Sequence, residues 1–72
     1  MLTNKQKQVF NAIEYLIEEK GYSPTYQEIA DLLNVKNVSN IFNIVMNLEK
    51  KGYVSTKQGK SRTIMIVKNN HE

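Results

Sequence analysis

The sequence predicts a small α+β domain, mainly α, in which three helices are followed by a two-stranded β-hairpin. Two capping boxes each precede an apolar stripe with helical spacing, and a third such stripe follows a tight polar break. Two β-branched segments then enclose a glycine-containing turn. The 72 residues suffice for one domain with a single core. We expect this domain to span residues 1–68 and residues 69–72 to form a flexible tail.

The first helix is expected to begin after Thr3, because Thr3 and Gln6 have the spacing of a capping box. Its apolar stripe runs from Val9 to Ile17. Gly21 follows, and glycine is the residue that most often ends a helix. The first helix is therefore predicted to end at Gly21.

A second box, Thr25 and Glu28, predicts a short helix from about Tyr26 to Leu33. The polar segment 34–37 then breaks the chain. Asn34 suits the left-handed conformation that a helix end often needs. A short helix, a tight turn and a second helix are therefore expected.

The third helix is predicted at about residues 38–51, and its two sides differ in chemistry. One side is apolar and consists of Val38, Ile41, Ile44, Val45 and Leu48. The other side, the polar row, consists of Ser39, Asn40, Asn43, Asn47 and Lys50. Asn is a poor helix former, and a merely solvated face would more cheaply carry Glu, Lys or Gln. Because an amide offers the donor and the acceptor that adenine requires in the major groove, the row predicts a base-reading surface.

The hairpin is predicted from two strands, residues 53–56 and 63–67, joined by residues 57–62. Together with the helices this order is typical of a winged helix-turn-helix. The wing carries Lys57, Lys60 and Arg62, with Gly59 and Ser61 allowing close backbone approach. These cations suit contact with phosphates or with the minor groove. Alternatively, they protect an exposed strand edge against pairing.

Charge is divided unevenly along the chain. Residues 1–33 hold three lysines and five acids, which gives −2, whereas residues 34–72 hold seven Lys or Arg and two acids, which gives +5. The basic half therefore also carries the polar row. A basic patch is the electrostatic footprint of a polyanionic partner.

Other classes of function find no support in the sequence. There is no cysteine and only one histidine, so no metal site, cofactor site or nucleophile–base set is predicted, and the chain is not expected to be an enzyme. The longest apolar run, residues 64–67, is too short to span a membrane, and no signal peptide is evident. We expect a cytoplasmic, nucleoid-associated protein with no small-molecule ligand.

The chain resembles the N-terminal DNA-binding domain of the LexA family of bacterial SOS repressors, from residue 2 to about residue 67. The most specific segment is Pro-Thr-x-x-Glu-Ile-Ala, followed at fixed distance by Lys-Gly and Gly-x-Ser-Arg. The matching residues are Leu2-Thr3, Gln8-Val9-Phe10, Gly21, Pro24-Thr25, Glu28-Ile29-Ala30, Leu33, Leu48, Lys51-Gly52, Gly59, Ser61-Arg62 and Ile64.

The resemblance implies that the third helix enters the major groove of an operator. Its implied base-reading positions are Asn37, Ser39, Asn40, Phe42 and Asn43. Its implied contacts to the DNA backbone are Thr3, Lys5, Thr25, Tyr26 and Lys50, with Ser61 and Arg62 on the wing. The familiar repressor has two acids in place of Phe42 and Asn43, so a different operator is expected. These residues contain no counterpart of the family's C-terminal domain, so its Ser–Lys self-cleavage is not implied.

The sequence thus predicts a small transcriptional repressor that reads a double-stranded DNA operator. Few base contacts are available to one such domain, so specific binding is expected to need a second copy on a second half-site. Met65 and Val67 are the only candidate dimer contact.

Asn47 is included among the base readers on periodicity alone, and Phe42 is expected to pack rather than to contact a thymine methyl. The alternative is a winged-helix module that docks on another regulator or on polymerase.

Overall fold

A computed structural model describes residues 2–57 and 60–67. Three helices come first: α1 is Asn4–Lys20, α2 is Tyr26–Leu33 and α3 is Val38–Lys50. Two short strands follow, β1 at Val54–Ser55 and β2 at Met65–Ile66, and they pair antiparallel. This is the winged helix-turn-helix that the sequence predicts. The predicted tail, residues 69–72, and Gly59 lie outside the described residues.

Local capping sets the bounds of the helices. Both predicted capping boxes are present, at Thr3 for α1 and at Thr25 for α2. Gly21 ends α1 with a φ of 79°, and Asn34 ends α2 with a φ of 60°, both left-handed as expected. At the start of α3 the Asn37 side chain accepts a hydrogen bond from the amide of Ser39 at 2.9 Å.

The core lies between the three helices and is closed on one side by the hairpin. Its fully buried side chains include Ile13 from α1, Ile29 from α2, Leu48 from α3 and Val54 from β1. Every element thus contributes to one cluster. Among residues 2–57 and 60–67, no helix is long and apolar enough to cross a membrane.

The strands are shorter than predicted, because side chains replace part of the ladder. The amide of Thr56 donates to Glu49 at 3.1 Å, and the amide of Ile64 donates to the hydroxyl of Ser23 at 2.9 Å. The amide of Lys57 donates to the hydroxyl of Thr63 at 3.0 Å. Glu49 of α3 and Ser23 of the loop before α2 therefore take amides of the hairpin, and two residue pairs remain in the described part of the sheet.

Candidate nucleic-acid interface

The polar row lies on the solvent side of α3. Ile41, Val45 and Leu48 on the opposite side are at most 1% exposed, so the core fixes how the helix is rotated about its axis. The predicted apolar and polar sides are both confirmed. The exposed residues are Ser39, Asn40, Asn43, Asn47 and Lys50.

Asn37 has a structural role as well as its predicted one. Its side-chain oxygen caps α3 through the amide of Ser39, while its side-chain NH₂ group can still donate outward because the residue is exposed. From the sequence, Asn37 is expected only to read bases. The structure therefore adds a capping role at the helix end expected to approach DNA.

An aromatic pair borders the polar row. Phe42 is 43% exposed and packs edge-on against Tyr26, with ring centroids 5.3 Å apart. Phe42 thus has a packing partner on α2, and its expected preference for packing over a thymine methyl stays a prediction. Partial burial, and to a lesser degree the nearby Glu49 carboxylate, raises the pKa of the Tyr26 hydroxyl. The hydroxyl is therefore protonated at neutral pH and can donate a hydrogen bond to a phosphate oxygen.

The start of α2 faces the wing. Glu28 accepts the amide of Thr25 at 2.9 Å, and the hydroxyl of Thr25 accepts the amide of Glu28 at 3.0 Å. The amides of Tyr26 and Gln27 occupy first-turn positions that have no intrahelical acceptor. A cavity of about 40 Å³ separates this helix start from the wing, and Lys60 is among its lining residues.

The wing presents its cations unequally. Lys57, Lys60 and Ser61 are exposed. Arg62 instead turns back to α2 and makes a two-point ion pair with Glu28, with both N···O distances at 3.0 Å. Its guanidinium also donates to the Ser23 carbonyl at 3.2 Å.

Arg62 also lies over an aromatic ring. Its guanidinium carbon is 4.9 Å from the centre of the Tyr22 ring. The hydrogen bond from Arg62, followed by that from the Thr25 amide, lowers the pKa of the Glu28 carboxyl, and the hydrogen bond to Glu28 raises the pKa of Arg62. Both groups are therefore charged at neutral pH.

A second polar link joins α1 to the end of α3. The Lys51 ammonium donates to the side-chain oxygen of Gln6 at 2.8 Å, and the same oxygen accepts the amide of Thr3 at 3.1 Å. The exposed Thr3 thereby lies near the C-terminal end of α3, whereas the exposed Lys5 lines a cavity with Asn40 and Ile44 from the first half of α3. Sequence reasoning missed this link and the Glu49–Thr56 contact, because residue spacing gives no signal for either.

Comparison with known proteins places the chain in a family. The sequence profile of the LexA DNA binding domain matches residues 1–63. The LexA repressor of Finegoldia magna is 37% identical over 71 residues, which cover 99% of this chain and 34% of that protein. The LexA repressor of Caldicellulosiruptor saccharolyticus is 39% identical over 66 residues, or 92% of this chain and 33% of that protein.

The repressor of Staphylococcus aureus gives a similar result, with 33% identity over 66 residues and 32% of its own length covered. The chain thus spans about a third of the length of these relatives. The profile match covers all three helices, including the polar row, and β1, and it ends before β2. The chain belongs to the LexA DNA-binding domain family.

Proposed function

We propose that this chain binds double-stranded DNA at a specific sequence and represses transcription, with α3 in the major groove and the wing on the backbone or in the minor groove. The polar row is the observation that carries this proposal. A helix fixed in the core by its apolar side presents amides outward, in the half of the chain whose net charge is +5. The relatives are named LexA repressor, which supports the same function here.

Base reading falls to the first two turns of α3 in this proposal. Recognition helices meet base edges mainly through their N-terminal residues, and an Asn amide pairs with adenine through two hydrogen bonds. Asn40 and Asn43 are therefore assigned the main role. Asn37 and Ser39 flank them, and Asn47 reaches the bases only if α3 lies deep along the groove.

The residues around the polar row would hold the DNA backbone. Lysine ammonium groups neutralise phosphates, whereas hydroxyls and first-turn amides donate hydrogen bonds to them. Arg62 differs from the other wing residues because its guanidinium is already paired with Glu28. The proposed backbone contacts are Thr3, Lys5, Thr25, Tyr26, Lys50, Lys57, Lys60 and Ser61.

One α3 helix reads few base pairs, so we propose that two copies bind two half-sites of a symmetric operator. Met65, which is 62% exposed on β2, and the half-buried Val67 are the proposed contact between the copies. The role is binding rather than catalysis, and the nucleoid is the expected location.

Selection of bound duplexes from a random DNA pool tests the proposal. The parent protein should enrich one sequence, and Asn40→Ala and Asn43→Ala should each weaken binding to it by about 1–3 kcal/mol and relax specificity. Asn11→Ala is the matched control, since Asn11 is an exposed asparagine on α1. No enriched sequence, or unchanged binding of both variants to every sequence, would refute base reading and favour a protein-docking role.

A further inference from the structure

Among the wing residues that the structure describes, Arg62 joins the wing to the start of α2 through its side chain. Arg62 makes a two-point ion pair with Glu28, donates to the carbonyl of Ser23 and lies over the ring of Tyr22. These partners precede or open α2, whereas Lys60 and Ser61 immediately precede Arg62 in the wing. The guanidinium therefore links the wing to α2 at a point beyond the contact between Ser23 and the amide of Ile64.

The Arg62–Glu28 ion pair adds too little free energy of folding to explain its geometry. The side chains of Arg62 and Glu28 are 43% and 33% exposed, and ion pairs at such exposure contribute little to folding. Arg62 nevertheless has a φ of 58°, which a non-glycine residue adopts only where its surroundings determine it. The planar guanidinium suits a carboxylate with fixed geometry, so the contact specifies orientation more than it adds energy.

The other links of the hairpin lie nearer its base. Glu49 of α3 holds the amide of Thr56, and Ser23 holds the amide of Ile64. These links fix where the strands start and end. Within the hairpin, the Thr63 hydroxyl donates to the Lys60 carbonyl at 3.3 Å and the Lys60 amide donates to the Lys57 carbonyl at 3.3 Å, whereas the ion pair joins this segment to α2.

We propose that Glu28 and Arg62 are positioning residues for DNA binding: their ion pair orients the wing so that Lys60 and Ser61 face the DNA that α3 reads. This inference rests on the proposed function. Glu28 acts through Arg62, and neither side chain needs to contact DNA. Arg62 is thereby assigned to the wing's geometry rather than to a phosphate.

The variant Glu28→Gln separates positioning from simple electrostatics. Glutamine retains the capping box, as Gln6 does at the start of α1, but removes the ion pair. Loss of a negative charge beside DNA would by itself strengthen binding. Positioning predicts the opposite sign, a loss of about tenfold in affinity for the duplex selected by the parent protein.

Arg62→Lys supplies the second comparison. Lysine keeps the charge but lacks the planar fork, so positioning predicts a loss as large as that of Glu28→Gln. The double variant should bind no more weakly than either single variant, because both remove the same contact. Glu18→Gln, which removes an exposed carboxylate from α1, is the matched control and should bind as the parent does.

Two binding results would overturn the inference. One is tighter binding by Glu28→Gln. The other is a salt slope that falls by about one charge in Arg62→Gln but stays unchanged in Glu28→Gln, which identifies Arg62 as a phosphate contact. A circular dichroism spectrum and an unfolding midpoint like those of the parent exclude misfolding as the cause of weak binding.

A distance measurement tests the positioning role without DNA. The chain has no cysteine, so Glu19→Cys and Lys60→Cys allow one spin label on α1 and one on the wing. The distance distribution between the labels should broaden or shift when Glu28→Gln is added. An unchanged distribution overturns the inference. If the parent selects no DNA sequence, the proposed function fails, and this distance still decides whether the ion pair orients the wing.

Discussion

Two asparagines, Asn34 and Asn37, set the turn that precedes the candidate interface. Asn34 adopts a φ of 60° and ends α2, which turns the chain toward α3. Asn37 then caps α3 through the amide of Ser39. Asparagine tolerates the left-handed region and accepts hydrogen bonds from nearby amides, so the same residue type serves both positions. The turn between the two helices therefore depends on local chemistry.

Substitution of Asn34 should test this dependence. Alanine in the left-handed region costs roughly 1–2 kcal/mol because its Cβ approaches a backbone oxygen, whereas glycine has no such penalty. We expect Asn34→Ala to lower the free energy of unfolding by about 1 kcal/mol and Asn34→Gly to leave it nearly unchanged. Urea unfolding measures both. Equal stability of the two variants would show that the turn does not depend on the backbone conformation of residue 34.

At the scale of elements, polar side chains join segments of the chain in addition to the contacts of the apolar core. Gln6 is 8% exposed and joins the start of α1 to the end of α3, because its side-chain oxygen accepts both the Lys51 ammonium and the Thr3 amide. Glu49 links the end of α3 to Thr56, which follows β1, because its two carboxylate oxygens accept the amide and the hydroxyl of Thr56. These links bring the start of α1, the end of α3 and the hairpin into one surface.

Removal of the Gln6 side chain should therefore destabilise the protein. Gln6→Ala eliminates the acceptor of two donors, and we expect a loss of about 1–3 kcal/mol in the free energy of unfolding. Gln6→Glu retains the acceptor and the capping box and should unfold like the parent. Gln8→Ala, at an exposed position of the same helix, is the matched control and should change stability by less than about 0.5 kcal/mol.

At the scale of the whole molecule, charge is separated along the chain while the core is shared. Every helix and the hairpin contribute to one cluster of buried side chains. The excess of positive charge lies in residues 34–72, which include α3 and the wing. In the proposed function this charge sets affinity for any DNA, and the polar row sets the choice of sequence.

The salt dependence of DNA binding should show which residues contribute general affinity through their charge. Lys60→Ala should weaken binding to all duplexes alike and reduce the slope of log K against log salt by about 1. Lys7→Ala is the control, because Lys7 is exposed on α1 two residues from Lys5 and is not among the proposed contacts. Equal slopes for parent and Lys60→Ala would remove Lys60 from the interface.

The sequence by itself determined the parts that rest on neighbours within a few residues. The helix bounds follow from the capping boxes and from Gly21 and Asn34. The buried and exposed sides of α3 follow from the helical period, since one side must enter the core. The family follows from motifs in the same segments. The DNA contacts assigned to individual side chains remain predictions.

Only the tertiary structure decided the links between distant residues. Arg62 and Glu28 are 34 positions apart, and Lys51 and Gln6 are 45 apart, so no local sequence pattern predicts either pair. Contacts between distant residues also shortened the strands, because the hydroxyl of Ser23 accepts the amide of Ile64, a residue that the sequence placed in the second strand. From the sequence alone, Arg62 on the wing is therefore expected to bind phosphate. In the folded chain it pairs with a carboxylate, because folding brings that carboxylate within hydrogen-bonding distance.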